Sequence, residues 1–284
     1  APLATFQVRF ADVSVGSVTA TTQWRWEFYD ENNVLVQQAP AGGGFSNVAL
    51  GPFDRTFTNV GVYRARLVIR DNVTSCETVD DAEVRIFERP VPQFTASAVC
   101  SGTSTHFEAT STLNALIGET IAMREWDFNY DGVTFNKDPA FDNQMSFDHN
   151  MGAAGIYQVA LRVTASISGC SAIIALPVTV HPLPNASFTP DILSGCSELT
   201  VNFTNTAIAG QPDAISLYDW QVDAKLGAGF QSVGTENPNT PGFDNLFTHT
   251  FVNTTTANRD YDVRLRVVTA NGCERVSAAT TITV

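Results

Sequence analysis

The stretch Gly155-Ile156-Tyr157-Gln158-Val159-Ala160-Leu161-Arg162-Val163 decides the fold. Apolar and polar residues alternate with a period of two, and β-branched and aromatic side chains dominate. This is the pattern of a half-buried β-strand and not of a helix. The stretch recurs twice, as Gly61-Val62-Tyr63-Arg64-Ala65-Arg66-Leu67-Val68-Ile69 and as Arg259-Asp260-Tyr261-Asp262-Val263-Arg264-Leu265-Arg266-Val267. Upstream of each copy stands a Trp-x-apolar triplet, at Trp26-Glu27-Phe28, Trp126-Asp127-Phe128 and Trp220-Gln221-Val222. Downstream of each stands a cysteine, Cys76, Cys170 or Cys273. A last strand ends about eleven residues further on, near Phe87, His181 and Val284. Tyr63, Tyr157 and Tyr261 are 94 and 104 residues apart, which is the size of an immunoglobulin-type sandwich.

The repeat predicts an all-β chain of three tandem Ig-like β-sandwich domains, at 1–89, 90–182 and 183–284. Pro90-Val91-Pro92 and Pro182-Leu183-Pro184 stand at the two junctions. Such links have little backbone freedom, so an extended rod on the order of 100 Å is expected.

Composition agrees. The 284 residues include 10 % aromatics and 44 % hydrophobic residues, enough to bury real cores. Sixteen basic residues face 29 acidic ones, for a net charge of −13, and Lys137 and Lys225 are the only lysines. That balance argues against nucleic acid, which requires clustered positive charge. No apolar run approaches the ~18–20 residues that span a bilayer, so no membrane insertion is expected. The chain lacks an initiator Met and reads as a mature or excised piece.

The Gly-x-Tyr-x-Val-x-Leu-x-Val strand, with His249-Thr250-Phe251, His149-Asn150-Met151 and Arg55-Thr56-Phe57 before it, resembles PKD domains. These are Ig-like sandwiches found in tandem on cell surfaces. The segment from Ser194-Gly195-Cys196 to Phe203-Thr204-Asn205 is similar to the Cys-led strand B of PKD arrays in large secreted adhesins of Bacteroidetes. The family's Trp-Asp-Phe-Gly-Asp-Gly turn is intact nowhere; the middle repeat has Trp126-Asp127-Phe128-Asn129-Tyr130-Asp131-Gly132. The resemblance implies that Trp26, Phe28, Trp126, Phe128, Trp220 and Val222 on strand C face inward. Tyr63, Leu67, Tyr157, Leu161, Tyr261 and Leu265 on strand F do the same. Arg64, Arg66, Arg162, Arg264, Arg266, Glu27, Glu125 and Asp127 then form a solvated charged outer face. Phe94-Thr95-Ala96 and Ser187-Phe188-Thr189 read as strand A of the second and third repeats. The first repeat has no counterpart. Ala1-Pro2-Leu3 resembles the stretch after the strand-B cysteine, so a preceding Cys and strand A are expected, or a neighbouring chain that adds the strand.

Cysteines at repeating positions suggest disulfides in an extracellular protein. Two arrangements are open. Parity within repeats favours Cys100–Cys170 and Cys196–Cys273, leaving Cys76 for a residue outside the chain. In an Ig-type sandwich, however, the A–B and F–G turns lie at opposite ends, and a disulfide needs Cα atoms within ~7 Å. The A–B turn of one domain faces the F–G turn of the next, which favours an inter-domain Cys100–Cys273 bond.

Asp127, Asn129 and Asp131 match the opening of a calcium loop, although its twelfth position is Asp138 and not Glu. Asp131-Gly132 is equally a hairpin turn between Phe128-Asn129-Tyr130 and Val133-Thr134-Phe135. Apart from calcium no cofactor is expected. Phe45, Phe141 and Phe243 recur in the loop between strands C and E. Each reads as a plug at one end of its sandwich, with ligand contact as the alternative. His149 and His249 share one repeat position and read as strand residues. No catalytic triad, metal-ligand spacing or phosphate loop is evident. The sequence therefore points to a non-enzymatic extracellular array, part of a larger cell-surface adhesin or filament. Its partners are neighbouring repeats, other chains by strand addition, or a surface polysaccharide or protein. The alternative is an accessory carbohydrate- or protein-binding module of a secreted hydrolase.

Overall fold

A computed structural model describes residues 6–15, 18–113 and 118–284. Ala1-Pro2-Leu3, on which the expectation about the front of the chain rests, lies outside the described residues. The chain is all-β, with short 3-10 geometry at Pro139–Phe141. The first repeat carries β1 (Phe6–Phe10), β2 (Thr22–Tyr29), β3 (Leu35–Ala39), β4 (Phe53–Phe57), β5 (Gly61–Asp71) and β6 (Glu77–Ile86). The second carries β7 (Phe94–Ala96), β8 (Val99–Cys100), β9 (Thr105–Ala109), β10 (Ile121–Asp127), β11 (Ser146–His149), β12 (Gly155–Ala165) and β13 (Ser171–His181). The third carries β14 (Phe188–Pro190), β15 (Leu199–Asn205), β16 (Ile215–Asp223), β17 (Gln231–Glu236), β18 (Leu246–Phe251), β19 (Asp260–Thr269), β20 (Glu274–Val276) and β21 (Thr280–Thr283).

Each repeat contributes one pair of sheets. The sheets of the first are β1-β4 and β3-β2-β5-β6, and those of the second are β11-β9-β7 and β10-β12-β13-β8. Those of the third are β14-β15-β18 and β17-β16-β19-β20, with β21 also on β19. By backbone proximity the chain falls into two compact units. One comprises the residues up to Gln93 with Ser111–Arg124 and Arg162–Ile173; the other comprises Phe94–Thr110, Glu125–Leu161 and Ile174–Val284.

Alternation places the large side chains inside. In β19 every second residue from Tyr261 to Thr269 is buried, and Val263, Leu265 and Val267 have no solvent exposure. They meet Trp220 and Phe203, both fully buried. In the first repeat Trp26, Phe28, Phe57 and Tyr63 form the equivalent cluster. In the second, Trp126 stands between Phe94 (5.1 Å), Phe107 (5.6 Å) and Phe147 (5.1 Å), all edge-to-face. Each such ring removes ~150–250 Å² from water. Phe128 and Tyr157 are half-buried and lie at the rim of that core.

One contact recurs in all three repeats and has no counterpart among the sequence expectations. The strand-F tyrosine donates its hydroxyl to a carbonyl of the preceding loop, four residues upstream in the first two repeats and nine in the third: Tyr63 to Asn59 (3.0 Å), Tyr157 to Ala153 (2.7 Å) and Tyr261 to Val252 (2.5 Å). This is the tyrosine corner of Ig-type sandwiches. The proline links are pinned as well. Val91 pairs with Thr112, and Asn185 pairs with Ile208.

Two expectations are corrected. Strand C of the second repeat does not turn into a hairpin at Asp131-Gly132, because β10 ends at Asp127 and no strand covers residues 128–138. The amides that a second strand would pair are taken by carboxylates instead, as described below. The charged outer face is not simply solvated. Glu27, Glu125 and Asp127 are only 8 %, 5 % and 2 % exposed. Arg25 and Tyr29 reach Glu27, Lys137 reaches Glu125, and backbone amides of the following loop donate to Asp127.

Candidate functional site

In the Asp127–Asn136 loop the side chains serve the backbone. Asp127 Oδ1 accepts from the Asn129 amide (3.0 Å) and Oδ2 from the Asn136 amide (2.7 Å). Asp131 Oδ1 accepts from the Val133 (2.8 Å) and Thr134 (2.6 Å) amides, which hold its carboxyl below the usual carboxylate range. These are Asx turns, the local alternative to a ladder. Lys137 Nζ lies 2.8 Å from Asp142 and 3.0 Å from Glu125. Asp142 and then Glu125 raise the lysine's pKa. Among the described residues no group of three or more His, Cys, Asp or Glu is arranged to hold a metal ion.

The three loop phenylalanines pack on their own repeats. Phe141 meets Phe128 at 5.0 Å, Phe147 at 4.7 Å and His149 at 4.9 Å. Phe243 stacks on Tyr218 at 5.5 Å with 10° between planes. Phe45 lies under two guanidinium groups, Arg25 at 4.4 Å and Arg70 at 4.0 Å. Asn143 and Asn245, each two residues after the phenylalanine, both adopt the left-handed conformation (φ 61° and 62°) that Asn tolerates. His149 stacks on Phe128 at 4.0 Å, and burial pushes its pKa down against the opposing pull of Asp138. Burial alone does the same to His249, which meets Phe251 edge-on at 4.7 Å.

The C–F face is a set of cross-linked charges. Glu27 accepts from Arg25 (2.9 Å) and Tyr29 (2.7 Å), while Arg66 makes a fork with Asp81 (2.8 and 2.9 Å). The Arg66 hydrogen bond holds the Asp81 carboxyl low. In the third repeat Asp219 accepts from Ser232 (2.6 Å) and Gln221 (2.7 Å), and Arg264 lies over Phe230 at 3.8 Å. Burial of Asp219 is thus matched by donors, as a buried carboxylate requires.

One edge is open. β7 and β14 pair with the outer edge of β9 and β15, and their Phe94 and Phe188 sit 5.1 and 5.3 Å from Trp126 and Trp220. Among the described residues β1 pairs only with β4. A groove of about 430 Å³ lies beside it, lined by Phe10, Val13, Trp26, Leu67 and Ala82. Among the described residues the buried Trp26 has no partner for its indole N–H, whereas Trp126 donates to Gln144 O (3.2 Å) and Trp220 to Glu236 (2.8 Å).

Within the second unit Cys100 and Cys273 form a disulfide with Cα atoms 5.6 Å apart. His181 Nδ1 lies 3.2 Å from Asp213 Oδ2, and Asn271 Nδ2 donates to Asp213 Oδ1 (2.8 Å). The sequence offered one signal for this cluster, His181 directly ahead of the Pro182-Leu183-Pro184 link. Gly210 lies against Pro182 so closely that a Cβ would stand 2.4 Å from the proline Cβ. Cys76, Cys170 and Cys196 are free thiols, so the within-repeat pairs Cys100–Cys170 and Cys196–Cys273 do not form. The reason is the one the topology imposes: the two cysteines of a repeat stand at opposite ends of its sandwich.

No family model matches the sequence, and no curated protein matches it significantly. Solved structures similar to the chain are strings of β-sandwich modules. Fibronectin(III)-like modules of Clostridium thermocellum CbhA are 15 % identical (TM-score 0.35), with 67 % of this chain and 92 % of that one covered. Three N-terminal domains of the bacteriophage RB49 highly immunogenic outer capsid protein are 12 % identical (TM-score 0.44; 98 % and 93 % covered). Titin domains I67–I69 are 12 % identical (TM-score 0.43; 99 % and 90 % covered). None of the three reaches a TM-score of 0.5, and the fold rests on the sheets described above.

Proposed function

We propose that the chain is a non-enzymatic extracellular array of three PKD-like domains (1–89, 90–182 and 183–284), serving as a structural or adhesive segment of a larger cell-surface protein. The observation that carries this reading is where the covalent bond lies. Cys100–Cys273 joins the strand-B end of one repeat to the F–G turn of the next, and so serves the connection between repeats. The disulfide also supports an oxidising, extracellular setting. The residues that could have carried chemistry support it too: Asp127, Asp131, His149, Phe141 and Phe243 are all engaged in holding their own loops. The edge of β1 away from β4, which pairs with no strand among the described residues, is where a further strand would add. Retention of the purified chain on immobilised glycans and matrix proteins tests the reading. No retention on any glycan is expected. Saturable retention on one polysaccharide class would replace this reading with that of a binding module attached to a secreted hydrolase.

A further inference from the structure

One inward position of strand E changes its residue type between repeats. Phe53, Phe147 and Phe247 pair with Phe10, Phe107 and Phe203 in the three sandwiches. Two residues further on stand Arg55, His149 and His249. His149 stacks on Phe128 at 4.0 Å, and the Arg55 guanidinium lies over Phe28 at 4.5 Å. Burial drives both histidines toward the neutral form. An arginine has no neutral form to retreat to, so the first repeat keeps a full positive charge at this place. Arg55 is half-buried, and desolvation lowers its pKa with no carboxylate opposing it. Among the described residues it forms no ion pair and donates to Gln37 Oε1. A half-buried charge without a counter-charge costs stability.

The space beside Arg55 is a cavity of about 140 Å³, with Phe10, Phe28, Phe57 and Tyr63 in its walls. An apolar cavity of ~150 Å³ admits benzene. In the second repeat the Phe141 ring packs on the matching pair, Phe128 (5.0 Å) and His149 (4.9 Å). In the first, Phe45 lies under Arg25 and Arg70 instead, so among the described residues no loop ring packs on Phe28. Two other charged residues border the cavity. Asp30 Oδ1 is taken by the Asn32 (2.9 Å) and Val34 (2.8 Å) amides. The Arg64 guanidinium lies over Tyr29 at 4.0 Å and stands 4.0 Å from Asp81.

We propose that this cavity binds a small aromatic monocarboxylate, its ring against Phe10, Phe28 and Phe57 and its carboxylate on the Arg55 guanidinium. The planar guanidinium offers paired N–H donors that match two carboxylate oxygens, and its five donors leave room for Gln37 as well. A single uncompensated charge suits a monoanion, and the Asp30 carboxylate at the border weighs against a dianion such as phosphate. The site uses the interior of the first repeat alone. It needs neither the extracellular setting nor the adhesive role, so its failure leaves that reading standing.

Benzoate is titrated into the purified chain by calorimetry at about pH 8, where histidine is neutral. Benzyl alcohol serves as the uncharged ring and acetate as the carboxylate without a ring. Saturable benzoate binding with a Kd on the order of 1 mM or tighter is expected. Benzyl alcohol and acetate should each bind at least about tenfold more weakly, since each lacks one of the two contacts. Arg55→His installs the residue that the other two repeats carry. It should keep the thermal transition of the first repeat and lower benzoate affinity about tenfold or more. Arg9→Gln, which removes an exposed partner of Asp54, should leave benzoate affinity unchanged. N-acetylphenylalanine and its amide separate the two sources of such a group. Binding of the acid as tight as that of benzoate, with none of the amide, supports the C-terminal residue of another chain as the ligand; weaker binding of the acid supports a free aromatic acid. The comparison of benzoate with benzyl alcohol needs no variant, so it decides the matter even if Arg55→His does not fold. No saturable benzoate binding, equal affinity for benzoate and benzyl alcohol, or a folded Arg55→His chain with undiminished benzoate affinity would each overturn the proposal.

Discussion

Replacing Phe141 by Ala separates a plug from a ligand platform. The ring is half-buried and touches Phe128, Phe147 and His149 within 5.0 Å. A fully buried Phe→Ala change costs ~3–5 kcal/mol, and a half-buried ring that already contacts solvent loses about half, ~2 kcal/mol. The aromatic pair energies, ~0.5–1.5 kcal/mol each, fall within that figure and are not added to it. For a domain of this size, 1 kcal/mol moves the midpoint by ~4–8 °C, so the second repeat should melt roughly 8–16 °C earlier. Differential scanning calorimetry of the whole chain reads this directly, with the other transitions as internal controls. Phe243→Ala, which gives up a single stack on Tyr218, should cost about half as much. A Phe141→Ala variant that keeps its stability within ~0.5 kcal/mol while losing retention on a glycan surface would refute the plug and make the ring a ligand contact.

Three further outcomes are expected. Burial lowers the His149 and His249 pKa values, so the folded state disfavours their protonation. The stability they contribute is complete above pH ~6.5 and is lost as pH falls from there through the folded values. Urea midpoints at pH 7.5 and 5.0 should therefore differ less in a His149→Gln/His249→Gln variant than in the parent. The Asp71 carboxyl is held at about 2, chiefly by the Thr21 hydroxyl and then by the Thr74 amide, so its contribution is present above pH ~3.8 and lost as pH falls through about 2. Asp71→Asn should flatten the melting temperature across that window, and an unchanged slope would remove Asp71 as the cause. Trp220→Phe takes the indole donor from Glu236, whereas Trp26→Phe removes an N–H that has no partner among the described residues. The second should be cheaper by about 1 kcal/mol in equilibrium denaturation, and equal costs would count against the hydrogen-bond argument.

The strands were legible because their signal is local. A period of two in Tyr261–Val267 can be read without knowing what the strand packs against, and the recurrence of Trp, Tyr and Cys at fixed offsets marks the repeats. What was not legible depends on where a side chain ends up. Asp131-Gly132 carries a hairpin signal, but the Asp127 carboxylate reaches the Asn136 amide and closes the loop before a second strand can pair. Glu27 looks like a surface charge from alternation, yet Arg25 and Tyr29 fold over it on the same strand. The tyrosine corners had a visible residue and an invisible partner, since the accepting carbonyl is a backbone atom of the preceding loop. The link between Cys100 and Cys273 lay between these cases. Spacing admitted two pairings, and the geometry of sandwich ends distinguished them.

The Cys100–Cys273 bond spans 173 residues of sequence. If the chain is pulled from its ends, tension crosses from one cysteine to the other and bypasses everything between them. At ~3.3–3.6 Å per extended residue, the bond locks away roughly 570–620 Å of contour length that would otherwise pay out as the sandwiches unravel. Reduction of a single covalent bond would release that slack, so the redox state of the surroundings sets how far the molecule can be drawn out under load.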